Sequence, residues 1–408
     1  MEKRTLGKLS AAILALFFLS SLIQAPSHPD ATQGVPHWRV GPIAASPPGV
    51  LSGDPPHYLV MVNSLIEDHD FDLSNNYRQA LDGDWDAGAR FRRMPIDRHV
   101  DRDAKGRLLP THSPFFALLL AFPAWPFAGT LWVEPVCIWF TMMASLLGLA
   151  LFFKHLPSRQ NRESWLLALA LATPLWCYSR DLWTEPWILA IWVAMLTSRS
   201  VWLVAALGLA GTLIKYPFAV VPLTMGLLAL RGRERRWGYS LLASGVLGLA
   251  FSVAFIQWLF RDVEHFSLFH SGIHGGFSWP MVGVVGLLLG PENGILCYFP
   301  FLAWGLWEFR KGGDRYLPAV VFFLVHAAYQ DWMGGAGFSS RYLVPVLPVM
   351  VWGVMKARPR GWFFKAALTY SIFWGFVGGF FPALVYDRTP WGAVSHTLER
   401  LARLLVGN

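Results

Sequence analysis

Apolar runs of about twenty residues, the length that carries a helix across a hydrocarbon layer, recur along this chain between short polar stretches. Backbone amides find no water partner inside such a layer. The runs therefore predict helices rather than barrel strands, which are shorter and alternate strictly. They fall, several of them shorter than that, at Leu6–Ile23, Trp132–Phe153, Ser164–Tyr178, Trp183–Leu196, Val201–Ile214, Phe218–Leu230, Trp237–Phe260, Gly294–Phe309, Tyr316–Tyr329, Tyr342–Met355 and Trp362–Tyr386. The predicted fold class is an all-α polytopic membrane protein with about eleven transmembrane helices. Residues 25–131 then form an outer loop between the first span (1–24) and a multi-span core (132–386), and residues 387–408 form a short outer tail. Within the loop, Pro55–Glu67 predicts a short amphipathic helix along the membrane, with Leu59, Val62 and Ile66 on one face. Ser113–Phe127, interrupted by Pro123 and Pro126, reads as interfacial or re-entrant, and Met281–Gly290 as a second interfacial helix.

Charge orients this pattern. The basic clusters Lys154–Arg162, Arg231–Arg236, Phe309–Arg315 and Lys356–Gly361 all fall on one side, which the positive-inside rule makes cytoplasmic. Only 15% of residues are charged and 54% are apolar. The net charge of +8 sits in those connecting clusters, so it marks orientation and argues against nucleic acid as a partner. Cys137, Cys177 and Cys297 lie in apolar runs with no paired spacing, as packing thiols do. The first 25 residues have the form of a signal peptide, but the many later spans favour an uncleaved first span.

Several ionisable residues fall on the outer side, where the rule does not account for them. Arg180, Lys215 and Arg341 lie in short outer connections and share that face with Asp54, Asp181, Glu185, Glu292 and Asp331. Ionisable groups at membrane depth are costly and mark pathways or sites; headgroup contact and snorkelling are the plain alternatives. Asp54 before Pro55, and Glu185 before Pro186, both suit helix N-termini. Each is equally suited to act as a carboxylate base or metal ligand at the membrane surface. Asp68, Asp70 and Asp72, like Asp82, Asp84 and Asp86, alternate along the chain but lack the glycine and distal glutamate of a calcium loop. Asp101–Arg107 predicts a hairpin turn. Arg341 follows a Gly-rich turn, and its planar fork suits a phosphate. Walker, dinucleotide, zinc-protease and nucleophile-elbow motifs are all lacking.

In order along the chain, GDPPHYLVMVNSL, HSPFFALLLAFPAWPF, SRDLWTEPWILA, GTLIKYPFAVVPL, PENGILCYFPFLAWGLW and WMGGAGFSSRYLVPVLP resemble the C-type superfamily of membrane glycosyltransferases. That superfamily includes the protein O-mannosyltransferases and the aminoarabinose transferases of lipid A. The resemblance implies an integral protein of the inner or plasma membrane. It would move a sugar from a polyprenyl-phosphate-linked donor, a membrane lipid, to an acceptor at the extracytoplasmic face. It also implies roles: Asp54 as the base, Glu185 as the second acid, and Lys215, Arg341 and Arg180 as contacts to the lipid phosphate. His57, His112 and Glu292 are further substrate contacts on the same reading. Some relatives use a divalent metal, and here Asp54 and Glu185 are the residues to hold one. Two features depart from the family: Pro55 stands where relatives often carry a second acid, and the chain ends in a short tail. A transporter is the main rival, although transporters place their charges near the midplane and often show repeated halves. An inactive lipid-binding relative is the other.

Overall fold

The structure, a computed structural model, describes residues 2–22, 54–76, 100–130, 132–156, 162–259, 277–334, 338–380 and 389–392. The described residues are mostly helical, with one short two-stranded hairpin. The helices are α1 (Glu2–Leu22), α2 (Asp54–Asn63), α3 (Pro114–Ala124), α4 (Val133–His155), α5 (Arg162–Leu171), α6 (Leu175–Ser179), α7 (Glu185–Thr197), α8 (Val201–Ile214) and α9 (Val220–Arg231). They continue with α10 (Arg235–Leu259), α11 (Pro280–Leu289), α12 (Ile295–Tyr298), α13 (Ala303–Phe309), α14 (Leu317–Ala328), α15 (Leu347–Ala357) and α16 (Trp362–Phe380). Two of them, α4 and α10, are long and apolar enough to cross a membrane.

Several apolar runs that hydropathy reads as single spans are broken helices. The run Ser164–Tyr178 splits into α5 and α6 at Thr173–Pro174, where the Thr173 hydroxyl donates to Leu169 O at 2.6 Å and accepts from Leu175 N at 3.2 Å. The run Gly294–Phe309 splits at Phe299–Pro300, and Tyr342–Met355 starts as a 3-10 stretch, Arg341–Val346, that contains Pro345. Proline lacks the amide proton that would continue an α-helix, so each break falls where the sequence withholds a donor. The pieces still pack closely. A Cβ on Gly305 of α13 would stand 2.2 Å from Met350 O of α15, so only glycine permits this approach.

Short turns make successive helices alternate, and this gives the bundle two ends. At one end lie the basic turns, where Arg231 meets Asp314 at 3.2 Å on the exposed surface. At the other lie Asp54, Glu185, Lys215 and Arg341. The core between them is rich in aromatics, with Trp176, Tyr178, Trp183, Trp192, Tyr298 and Phe322 fully buried. The outward faces remain apolar, as at Leu247 and Phe251 of α10 and Val282 and Val285 of α11.

The loop after α1 departs from expectation in one respect. A helix begins at Asp54 and ends in a π-helical turn, Ser64–Asp68, but it is not amphipathic. His57 through Ser64 are all buried, so polar Asn63 and Ser64 are covered along with Leu59 and Val62. The apolar stripe read from the sequence is one side of an element enclosed all round. Beside it runs α3, from Tyr58 against Phe116 (ring centroids 4.8 Å apart) to Glu67 accepting from Gly129 N at 3.0 Å. With its terminal 3-10 turn, α3 is about 22 Å long, short of the roughly 30 Å hydrocarbon layer. The predicted hairpin turn is present, pairing Val100–Arg102 with Leu108–Pro110. Asp103 closes it, accepting from Lys105 N, Arg107 N and the Arg107 guanidinium at 2.7–3.0 Å. Burial alone would raise the Asp103 pKa, but these Arg107 contacts outweigh it and hold the carboxyl below its usual range.

Candidate functional site

Four side chains meet at the end of the bundle away from the basic turns, and each is delivered by a helix terminus. Asp54 opens α2 and Glu185 opens α7, each followed by proline, which suits a first helical turn. Lys215 follows the last residue of α8, and Arg341 opens the 3-10 stretch into α15. Termini place charge beyond the apolar body of each helix, so separate segments deliver ionisable groups to one layer.

The four form two ion pairs. Arg341 Nη1 donates to Asp54 Oδ2 at 2.8 Å, and Lys215 Nζ donates to Glu185 Oε1 at 2.5 Å. Thr184 Oγ1 also reaches Glu185 Oε2 at 3.2 Å, and His112 Nε2 stands 3.7 Å from Asp54 Oδ1. The Glu185 side chain is 1% exposed and that of Arg341 6%; Lys215 and Asp54 are near 15%. In the turn after α8, burial pulls the Lys215 ammonium pKa down, with Glu185 opposing it. Burial pushes the Tyr58 phenol well up, and the Asp54 charge adds to it. Removing a partner from a buried pair leaves an uncompensated charge, at a cost of about 3–5 kcal/mol.

Aromatic rings wall the cluster. The Arg341 guanidinium lies 4.5 Å from the Trp183 ring and 5.0 Å from that of Tyr342, and Lys215 Nζ is 4.7 Å from the Tyr342 ring. The segment before Arg341 is pinned. The Tyr178 hydroxyl donates to Phe338 O at 2.8 Å and accepts from Phe338 N at 3.1 Å. The Ser340 hydroxyl lies 2.6 Å from Leu287 O and 2.5 Å from Asn293 O. Ser339 adopts a left-handed backbone (φ 58°), and Gly334 (φ 75°) comes so near that a Cβ there would stand 2.6 Å from Arg341 Nε.

The other sequence candidates make contacts of their own. Arg180 Nη1 donates to the carbonyls of Gly379 and Phe380 at the end of α16, at 2.7 and 3.2 Å. Glu292 is exposed in a turn, and its neighbour Asn293 is the residue that touches the pinned segment. His57 is buried one turn along α2 from Asp54. Asp181 accepts from Leu182 N at 2.7 Å, and Asp331 is half-buried. The alternating acids Asp68, Asp70 and Asp72 accept from Asn76, Ser64, Ser74 and the Asp72 amide, so they fasten turns. Asp82, Asp84 and Asp86 lie outside the described residues. The donor set does not fit a divalent metal. Asp54 and Glu185 each face a cation, and among the described residues no three His, Cys, Asp or Glu group as a metal site.

Sequence reasoning did not find Trp183, Tyr342 or His326. The last had a signal, a lone histidine inside an apolar run, which at membrane depth is itself a mark of function. No protein family, curated protein or solved structure matches this chain.

Proposed function

We propose that this chain is a polytopic membrane glycosyltransferase, with about eleven spans, working at its extracytoplasmic face on a polyprenyl-phosphate-linked sugar. The observation that carries the reading is the buried pair of ion pairs, Asp54–Arg341 and Glu185–Lys215, at the end of the bundle opposite the basic turns. The outward apolar faces of α10 and α11 support contact with lipid along the bundle. Broken helices such as α5–α6 and α12–α13 cross as composite spans, and at the first break the Thr173 hydroxyl donates to Leu169 O and accepts from Leu175 N.

In this reading the donor phosphate enters between Arg341 and Lys215 and takes over bonds now made by carboxylates. Asp54, released from Arg341, accepts the proton of the acceptor hydroxyl as that oxygen attacks the anomeric carbon. The bond from the anomeric carbon to the phosphate oxygen breaks, and the polyprenyl phosphate leaves with its charge held by the two cations. Glu185 positions Lys215. The acceptor is a lipid, a glycan or a protein.

The test is incorporation of labelled sugar from polyprenyl-phosphate donors in membranes holding wild type, Asp54→Asn or Lys215→Ala at equal protein level. Loss in both variants is the expected result. Full activity in Asp54→Asn would remove the base assignment. Absence of turnover with every lipid-linked donor, together with solute counterflow in vesicles, would replace the enzyme by a transporter.

A further inference from the structure

Buried polar atoms are nearly always hydrogen-bonded, so unpartnered ones in a cluster point to something the protein binds. Five gather on the segments that converge on Arg341: Trp183 Nε1, Asn293 Oδ1, His326 Nε2, Ser339 Oγ and Arg341 Nε have no partner among the described residues. All five residues are 5% exposed or less. An anion would use only the donors. Asn293 Oδ1 and His326 Nε2 are acceptors, so the set suits a ligand that carries hydroxyls as well as charge.

His326, on α14, is the best placed of these. Its Nδ1 lies 2.9 Å from Phe322 O, and a carbonyl only accepts, so Nδ1 carries the proton. In the neutral ring Nε2 is then a bare acceptor. The ring sits 4.8 Å from that of Tyr342, the same ring that Lys215 and Arg341 approach at 4.7 and 5.0 Å. The His326 ring and both cations thus approach the same Tyr342 ring.

Resting on the glycosyltransferase reading, we propose that His326 Nε2 accepts a hydrogen bond from a hydroxyl of the donor's sugar and so helps to determine which sugar is taken. In this arrangement the phosphate meets the two cations and the sugar reaches His326.

The test is binding to the full chain, purified in detergent, of undecaprenyl phosphate and of its mannose, glucose and 4-amino-4-deoxyarabinose esters. Wild type should bind at least one ester more tightly than the bare phosphate. His326→Leu should lose about tenfold on that ester and nothing on the bare phosphate, the size of one hydrogen bond. His326→Gln, which restores an acceptor oxygen, should keep most of the preference. Equal loss on both lipids, or an unchanged preference in His326→Leu, overturns the sugar contact and leaves the glycosyltransferase reading standing. A fall of several degrees in the melting temperature of unliganded His326→Leu also overturns it, because Nε2 would then be bonded within the fold. Failure of wild type to bind any of the four lipids removes the glycosyltransferase reading, and this inference with it.

Discussion

Breaking the Asp54–Arg341 pair tests the geometry on which the site rests. At 2.8 Å and an effective dielectric of about 20, the attraction is roughly 6 kcal/mol before desolvation is charged against it. Both side chains are largely buried, 16% and 6% exposed, so the screening that reduces surface pairs to near nothing is weak here. Asp54→Asn leaves the guanidinium buried without its counter-charge, at about 3–5 kcal/mol; the nearby His112 does nothing to relieve it. Arg341→Gln leaves the carboxylate in the same position. With both changes made, no buried charge is left over, so the two costs should not add. A coupling of about 2–3 kcal/mol is expected from the double-mutant cycle. For a chain of this size that is roughly 2–5 °C less loss in melting temperature than the singles sum to. Thermal unfolding in detergent, followed by tryptophan fluorescence, measures it. Additivity within about 0.5 kcal/mol would falsify the pairing.

Four further outcomes follow from the same geometry. If a phosphate displaces the carboxylates, Asp54→Asn should bind undecaprenyl phosphate several-fold more tightly while losing transfer, on the order of 1 kcal/mol, and weaker binding would count against the exchange. Gly334→Ala should cost about 2–3 kcal/mol and abolish transfer, because it strains a φ of 75° and presses on Arg341 Nε; an active, stable variant would show that the turn relaxes. Single cysteines at Thr130 and Glu234, both exposed, should label from opposite sides of sealed vesicles once Cys297 is replaced, and same-side labelling would overturn the orientation. The stability that Asp103 lends its hairpin is fully present above the ordinary carboxylate value near 3.8. It is lost as pH falls through the lower folded-state value, so Asp103→Asn should abolish acid sensitivity of hairpin amide exchange in that window. Unchanged acid sensitivity in that variant would assign the effect to another group.

The side of the bundle that carries the site was legible in the sequence, because basic turns recur at every second connection and leave Lys215 and Arg341 out of place. Their partners were not. Asp54 and Arg341 are 287 positions apart, and no local pattern reports a pairing set by tertiary packing. Hydropathy averages over its window, so it ran through Pro174, Pro300 and Pro345 where the helices break. The stripe of Leu59, Val62 and Ile66 suggested an amphipathic helix, but burial of Asn63 and Ser64 is set by tertiary packing that no periodicity reports. Arg180 resembled a phosphate ligand by position alone. Its Nη1 also reaches carbonyls at the end of α16, a contact that no local pattern reports.

The bond between Tyr178 and Phe338 constrains the two positions very differently. The tyrosine contributes its hydroxyl, while residue 338 contributes only its amide and carbonyl to these bonds and packs its buried ring against Tyr298 and Phe299. Among homologues, exchange at 338 for another large apolar residue would leave this contact intact, while a change of Tyr178 to phenylalanine would erase both bonds at once. Coupling between the positions would leave no covariation for an alignment to detect. The tether that holds Arg341 in place would appear there as an invariant tyrosine with no visible correspondent.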